Sequence, residues 1–262
     1  MGILKAAILG VIEGLTEFMP ISSTFHLLLA ARISGLAPDE FTKLFEIFIQ
    51  AGAILAVVWL YRRQILTHFD LAAKTIVAFL PTALFGIVFY RPIKNVFFEK
   101  VWAQVFIFIL VGLVFIGFEF LIGRGFLRLN KSIAALSWRE AVLVGSGQAL
   151  SFFPGVSRAG AVIIIMMLLG YRRAEAAFFS FFLAIPTILS AALFDLYKSR
   201  HSLVTFSHQV MPLSFGFFIS FLVALVAVRW FISYLQTHNL VFFGFYRLLL
   251  GGLAILYFLL ML

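Results

Sequence analysis

Long apolar segments separated by short polar connections make up most of the chain. Six of these segments approach the roughly 20 residues that an α-helix needs to cross a bilayer. Because lipid cannot pair with backbone N–H and C=O groups, uninterrupted apolar runs of this length predict membrane-spanning helices. The predicted spans are 44–61, 75–90, 101–123, 176–197, 211–235 and 240–262.

Two further apolar segments, 3–33 and 138–169, are interrupted midway by residues that end helices. Pro20 breaks the first segment, and Pro154 and Gly155 break the second. Each segment is therefore predicted to form two short helices joined by a break, a re-entrant hairpin. Such a hairpin is tolerated at membrane depth only where protein buries it or where it lines a cavity.

The spacing of polar residues also predicts where some of the short helices begin. Ser22 or Ser23 is positioned to cap the helix that follows Pro20. Ser137 and Glu140, three residues apart, form the pattern of a capping box at the start of the second hairpin.

The two halves of the chain, 1–130 and 131–262, resemble each other at one constant offset of 134 residues. Each half contains one hairpin and three spans, and an odd number of spans predicts that the halves insert in opposite orientations. The expected fold is an all-α polytopic membrane protein forming one membrane domain, an inverted repeat whose broken helices meet near the midplane. The matching positions are Phe18-Met-Pro20-Ile-Ser-Ser23 with Phe152-Phe-Pro154-Gly-Val-Ser157, Phe45 with Phe179, and Ile54-Leu55 with Ile188-Leu189.

Composition and charge agree with a membrane protein and exclude several classes of function. Hydrophobic residues make up 63% of the chain and charged residues 12%, about half the usual share in soluble domains. The net charge of +9 comes from short basic groups between apolar runs, which indicates anchoring at lipid head groups and no nucleic-acid partner. The chain has no cysteine, which excludes thiol catalysis, disulfides and Cys-ligated metals.

Two carboxylates interrupt the first hairpin in an otherwise apolar setting. Glu13 and Glu17 are four residues apart and share one face of a helix. Two close carboxylates in a low dielectric cannot both stay ionised without a cation. They are candidates to bind a divalent metal, to share a proton, or to act as a general base. The alternative, a polar face turned to water, is disfavoured by the apolar residues around them.

Hydroxyls and a histidine follow at the start of the next short helix. Ser22, Ser23 and Thr24 are ordinary capping residues, but a helix N-terminus also binds anions, so they are candidates to bind phosphate. A hydroxyl beside a carboxylate or imidazole is also a candidate nucleophile on phosphorus. His26 lies on the same face as Ser22 and Ser23 and is a candidate base, acid or nucleophile.

A second polar group, Ser157-Arg158, occupies the corresponding place in the second hairpin. A guanidinium at a helix start suits phosphate oxygens, so both residues are candidates to bind phosphate. Glu46 and Gln50 are a further pair, four residues apart, and are candidates to line the same cavity. Together these groups predict a phosphorylated, membrane-embedded substrate and a divalent cation, Mg²⁺ or Ca²⁺, bridging the acids to phosphate.

At these residues the sequence resembles the undecaprenyl-diphosphatase family, the bacitracin-resistance type of lipid pyrophosphatase. The resemblance covers nearly the whole chain. It implies hydrolysis of undecaprenyl diphosphate to the monophosphate, which recycles the lipid carrier of cell-wall synthesis. It also implies an inverted-repeat fold, support by a divalent cation, and a site that opens to the outer side of the cell membrane. The matching motifs are Glu13-Gly-Leu-Thr-Glu17-Phe-Met-Pro-Ile-Ser-Ser-Thr-Phe-His26, Phe45-Glu-Ile-Phe-Ile-Gln50 and Pro154-Gly-Val-Ser-Arg158.

The resemblance also assigns roles to individual residues. Glu13 and Glu17 match the family's paired acids, Ser23 and His26 its hydroxyl and imidazole, and Arg158 its phosphate-binding arginine. Three positions depart from the family pattern. Phe25 stands where the family usually has glycine, and Ala159 and Val162 stand where it usually has Ser and Thr.

Several alternatives stay open at the level of sequence. A transporter or flippase for a phosphorylated polyprenyl lipid would use similar broken helices, but it has no need of acids beside a hydroxyl and a histidine. A degenerate homologue that only binds lipid is a third possibility. The sequence separates neither Ser23 from His26 as the nucleophile nor one metal from another, and it leaves prenyl length and oligomeric state open.

Overall fold

The computed structural model is all-helical in the part it describes, residues 1–37, 39–97, 100–198 and 209–260. This confirms the predicted fold class at the level of helical content. Two short 3-10 helices, Ile133–Ala135 and Ala149–Phe152, lie between longer elements. The α-helices described are α1 Ile3–Thr16, α2 Ser23–Ile33, α3 Glu40–Thr67, α4 Phe69–Phe97, α5 Val101–Gly123, α6 Trp138–Gln148, α7 Arg158–Leu168, α8 Arg173–Lys198, α9 Val210–Thr237 and α10 Val241–Leu260.

Six of these helices, α3, α4, α5, α8, α9 and α10, are long and apolar enough to cross a membrane. They correspond one to one with the six predicted spans. The prediction for 101–123 coincides with α5, whereas α3 and α4 begin several residues earlier than predicted. Polar residues extend these helices beyond their apolar centres, as at Asp39, whose side chain caps α3 by accepting from the Thr42 N–H. The predicted last span reaches 262, and its final two residues lie outside the described part.

The two interrupted segments each form a pair of short helices. α1 and α2 are separated by residues 17–22, and α6 and α7 by the 3-10 turn and residues 153–157. The capping box predicted for α6 is present, because the Ser137 hydroxyl accepts from the Glu140 N–H and Glu140 accepts from the Ser137 N–H. The side-chain cap predicted for α2 is wrong, since neither Ser22 nor Ser23 makes such a bond. The Ser23 hydroxyl donates to Glu17 instead.

Each hairpin packs against a span from the other half of the chain. α1 lies on α9, and its counterpart α6 lies on α4, the span that corresponds to α9. Glycines allow these close approaches: a Cβ on Gly14 would come within 2.6 Å of the Ser220 carbonyl, and one on Gly145 within 1.7 Å of the Ala78 carbonyl. α3 also packs on α8 and α5 on α10, and each pair joins one helix from each half of the chain. Packing between helices of the two halves brings the two hairpin breaks together.

Polar contacts fix the helix ends away from the breaks. The buried Glu119 of α5 pairs with Arg173 at the start of α8 and accepts from the Leu240 N–H just before α10. A buried ion pair is costly to break because one charge is left without a partner. This pair therefore ties three spans together at one end.

The connection between the halves is held by Glu140. Its carboxylate accepts hydrogen bonds from Lys131, Tyr171 and Ser137. Burial alone would raise the pKa of Glu140, but these hydrogen bonds prevail and lower the pKa to about 2. The carboxylate is therefore charged at neutral pH and stabilises the junction.

Candidate active site

A cavity of about 180 Å³ lies where the two hairpin breaks meet. Side chains of α3 and α8 complete its walls. A cavity lined by residues distant in the sequence depends on the packing of both halves. Its lining residues are Glu17, Ser22, Ser23, Thr24, Gln50, Ser151, Phe152, Phe153, Pro154, Gly155, Val156, Ser157, Arg158, Thr187, Ile188 and Ala191.

The hydroxyl of Ser23 donates a 2.5 Å hydrogen bond to Oε2 of Glu17 inside the first break. Ser23 begins α2 and Glu17 directly follows the last residue of α1, so the chain must fold back within six residues. Ser22 makes this reversal with a φ of 64°, in the left-handed region that non-glycine residues avoid. Such a conformation costs about 1–3 kcal/mol and is found mostly at functional sites. The strained turn thus places a hydroxyl against a carboxylate.

The second break supplies a guanidinium to the same carboxylate. Arg158, the first residue of α7, contacts Glu17 Oε1 at 3.2 Å through Nη2 and donates to the Ser180 carbonyl at 3.0 Å through Nη1. Both side chains of the Arg158–Glu17 pair are about nine-tenths buried. Glu17 therefore lies between the Ser23 hydroxyl and the Arg158 guanidinium, each on a different carboxylate oxygen.

Ser157 contacts both breaks through its hydroxyl. The oxygen accepts from the Gly160 N–H, which caps α7, and donates to the Met19 carbonyl at 3.3 Å. These contacts join the second break to the first. The structure thus brings together the two polar groups that the sequence placed 134 residues apart.

Glu13 lies one helical turn before Glu17, fully buried and outside the cavity lining. Among the described residues, no hydrogen-bond partner is found for either of its carboxylate oxygens. A buried carboxylate without a donor is strongly unfavourable unless it carries a proton or faces a cation. The orphaned oxygens beside Glu17 therefore fit a divalent cation or a shared proton. No cluster of three or more His, Cys, Asp or Glu ligands occurs among the described residues, so a metal here would rely on phosphate and water for its other ligands.

His26 is not among the residues that line the cavity. Its Nδ1 lies 2.8 Å from the Ser22 carbonyl oxygen, which can only accept, so Nδ1 carries a proton. Its Nε2 lies 2.6 Å from the hydroxyl of Tyr246, and the two rings stack at 5.6 Å. The structure does not bring the imidazole to the Ser23 hydroxyl, because the backbone of Ser22 and a tyrosine of α10 occupy both ring nitrogens.

The remaining candidates divide between the cavity and its surroundings. Ser22, Thr24 and Gln50 line the cavity, whereas Glu46 does not. The sequence reasoning missed Ser151 and Thr187, which also line it. Thr187 could have been noticed as a hydroxyl in an apolar span directly after Pro186.

Arg247 was also missed, although its signal was strong. It is a cation within the apolar helix α10 and is fully buried. A charge inside a membrane-length segment is expensive and usually marks a function.

The departures from the family pattern all lie in the packed interior. Phe25 is fully buried and stacks on Phe108 of α5, with ring centroids 4.1 Å apart. Ala159 and Val162 are fully buried in the main hydrophobic cluster. The large ring beside His26 therefore fills a contact between α2, α5 and α10 and does not enter the cavity.

Comparison with known proteins shows what the chain as a whole is similar to. The family model of the bacitracin resistance protein BacA matches residues 6–253. A protein of Wolinella succinogenes named undecaprenyl-diphosphatase is 40% identical over 257 residues, covering 98% of each chain. Proteins of the same name from Aquifex aeolicus and Campylobacter jejuni are each 41% identical, covering 94% and 95% of this chain and 95% and 91% of their own. The chain is thus similar to these proteins over nearly its full length.

Proposed function

Because this chain belongs to the family of the bacitracin resistance protein BacA, we propose that it hydrolyses undecaprenyl diphosphate to undecaprenyl phosphate and inorganic phosphate. The observation that carries the proposal is the hydrogen bond from Ser23 to Glu17 beside the Arg158 guanidinium. A hydroxyl poised on a carboxylate next to a fixed cation suits transfer of a phosphoryl group. Binding or transporting a phosphate would not need this hydroxyl–acid pair.

The geometry favours Ser23 over His26 as the nucleophile. Glu17 is placed to accept the hydroxyl proton as Ser23 Oγ bonds to the terminal phosphorus and the bond from that phosphorus to the bridging oxygen breaks. Undecaprenyl phosphate leaves, and the proton on Glu17 is available to it. Water then hydrolyses the phosphoserine, which releases inorganic phosphate and restores Ser23.

Positive groups on both sides of the cavity support binding of the diphosphate. The guanidinium of Arg158 provides a fixed cation with fork geometry. The N-termini of α2 and α7 meet at the cavity through Ser22, Ser23, Thr24 and Ser157, and helix N-termini favour anions. Charge that develops on the transferring phosphoryl group would be stabilised by groups already in place.

A divalent cation would be held by Glu13 and Glu17. The unpartnered oxygens of Glu13 support this assignment. Bound there, Mg²⁺ or Ca²⁺ would neutralise the acid pair and the charge of the diphosphate. Glu17 would then serve both the cation and the Ser23 hydroxyl.

The membrane arrangement completes the proposal. The halves form an inverted repeat with two re-entrant hairpins, a reading supported by the exchanged packing of α1 on α9 and α6 on α4. The polyprenyl chain of the substrate lies in the bilayer of the cell membrane, and the cavity opens to the outer side. The product monophosphate returns to the carrier pool for cell-wall synthesis, which gives bacitracin resistance.

One assay tests the proposed function directly. The purified protein in detergent is supplied with undecaprenyl diphosphate, and phosphate release is measured with and without Mg²⁺ or Ca²⁺. Release well above that of a Glu17→Gln, Arg158→Ala double variant is expected. Equal phosphate release from the unsubstituted protein and the double variant would refute the proposed enzymatic activity. Lipid movement across vesicles without hydrolysis would then identify a transporter, and lipid binding alone a degenerate homologue.

A further inference from the structure

Arg247 contacts both hairpin breaks from the side of α10. Its Nη1 donates to the Pro20 carbonyl at 2.9 Å, and its Nη2 donates to the Gly155 carbonyl. Its Nε donates to the Phe108 carbonyl of α5 at 2.9 Å. One planar guanidinium thus joins the first break, the second break and a span.

The burial of this arginine is energetically costly. The side chain is fully buried, and no salt bridge to a carboxylate is formed within the described residues. Removing a charge from water without a counterion is strongly unfavourable even after the protein relaxes around it. The aromatic faces of Phe108 and Phe115, 4.3 and 5.6 Å from its Cζ, recover part of this cost. An apolar residue would fill the same space without the penalty, so packing alone does not account for Arg247.

Small residues provide the room that Arg247 needs. A Cβ on Gly112 would come within 2.9 Å of the Arg247 Cβ, so glycine lets α5 and α10 approach closely. Gly155 has a φ of +99°, and a Cβ there would come within 2.8 Å of the Gln104 carbonyl. The second break is therefore pressed against α5, with its carbonyl directed at the guanidinium.

Each carbonyl lies in a break three residues before the helix that follows it, although at the offset of 134 residues Pro20 matches Pro154 and not Gly155. Pro20 lies three residues before Ser23, and Gly155 three residues before Arg158. The fork of a guanidinium is rigid, so the positions of its two nitrogens fix the separation of the carbonyls that they hold.

We propose that Arg247 is a positioning residue that sets the separation of Ser23 and Arg158 by holding the carbonyls of both hairpin breaks on one guanidinium. It acts through the backbone and does not touch the substrate. A small displacement of reacting groups can reduce a rate by about 100-fold. The kinetic consequence rests on the proposed diphosphatase activity, whereas the structural consequence does not.

The kinetic test is a double-mutant cycle between Arg247→Lys and Arg158→Lys. Lysine at 247 keeps the charge but cannot hold both carbonyls. Alone it should lower kcat about 10- to 100-fold and leave KM within about threefold. In the Arg158→Lys background its further effect should be below about threefold, since residues that act as a unit are not additive. If the fold-changes in kcat of Arg247→Lys and Arg158→Lys simply multiply in the double variant, the proposal is overturned.

A matched control separates positioning from general stability. Arg173→Lys disturbs the buried pair with Glu119, far from both breaks in the sequence. It should lower the thermal unfolding midpoint, and its effect on kcat should multiply with that of Arg158→Lys. The same non-additivity for Arg173→Lys as for Arg247→Lys would show that both act through stability, which would overturn the proposal.

A second measurement needs no activity. The chain lacks cysteine, so spin labels can be attached at Leu15→Cys and Leu150→Cys, exposed positions beside the first and second breaks. Electron paramagnetic resonance should give a narrow distance distribution with Arg247, a broader or shifted one with Arg247→Lys, and no change with Arg173→Lys. An unchanged distribution with Arg247→Lys overturns the proposal. If the unsubstituted protein releases no phosphate, the proposed function fails while this distance measurement still decides the role of Arg247.

Discussion

Glu17 accepts a 2.5 Å hydrogen bond from the Ser23 hydroxyl on one carboxylate oxygen and contacts the Arg158 guanidinium at 3.2 Å through the other. The hydroxyl comes from the first half of the chain and the guanidinium from the second. The carboxylate thus orients the hydroxyl while its charge is balanced by the arginine. This relation between Ser23 and Arg158 through one acid is the basis of the proposed chemistry.

Ser23→Ala is expected to reduce phosphate release by about 1,000-fold or more, because the bond-forming oxygen is lost. Ser146 provides a control, since its exposed hydroxyl bonds only to the Val142 carbonyl of its own helix. Ser146→Ala should retain full activity. His26→Ala should cost less than Ser23→Ala, because the imidazole lies outside the cavity. A larger loss of initial rate in His26→Ala than in Ser23→Ala would identify His26 as the nucleophile.

Glu13→Gln and Glu17→Gln should impair phosphate release in different ways. Glu13 has no hydrogen-bond partner in the part of the chain that the structure describes and lies outside the cavity lining, so its loss should chiefly raise the concentration of Mg²⁺ or Ca²⁺ needed for half-maximal activity. Glu17 also serves Ser23, so its loss should lower kcat even at saturating metal. Rates titrated with each cation distinguish the two. An unchanged metal dependence in Glu13→Gln would remove this carboxylate from the cation site.

Glu140 should make the stability of the protein depend on pH in the acid range. Its folded pKa of about 2 lies below the ordinary value of 4.5, so its contribution is complete above pH 4.5 and is lost as the pH falls towards 2. Thermal unfolding in detergent should show Glu140→Gln several degrees less stable at neutral pH, with the difference shrinking below pH 4.5.

Asp70→Asn is the control for this comparison. Asp70 pairs with Lys74 one turn away, and because the Asp70 side chain is 69% exposed, solvent screens the pair and it contributes little. Its substitution should change the unfolding midpoint only slightly. A Glu140→Gln difference that persists unchanged to pH 2 would contradict the role given to the charged carboxylate.

Gly145→Ala should destabilise the packing of α6 on α4. The added Cβ would fall 1.7 Å from the Ala78 carbonyl, and backbone on both sides must move. A cost of at least about 1–3 kcal/mol is expected. Gly117→Ala is the matched control, because nothing lies within 4 Å of its Cβ position in the middle of α5. That change should stabilise by about 0.5–1 kcal/mol, and equal unfolding midpoints for the two variants would contradict the tight contact.

The sequence by itself determined the spans, the breaks and most of the cavity's polar groups. Apolar runs of membrane length leave helices as the available structure, and Pro20 and Pro154 interrupt two of the apolar segments, so both features are local. Proline alone does not decide this, because Pro186 lies inside α8. The capping box at Ser137 and Glu140 is local for the same reason. The cost of burying polar groups in an apolar chain singled out Glu17, Ser23 and Arg158 before any contact was known.

Only the tertiary structure decided how these groups are paired. Helical spacing put His26 on the face of Ser22 and Ser23, but Tyr246, 220 residues away, holds its Nε2. The sequence predicts that Ser22 or Ser23 caps α2, but Ser22 makes a left-handed turn and the Ser23 hydroxyl donates to Glu17. Arg247 joins breaks that lie 227 and 92 residues from it. Hydrogen bonds act only over about 3 Å, so partners distant in sequence are set by how the helices pack, which no local pattern records.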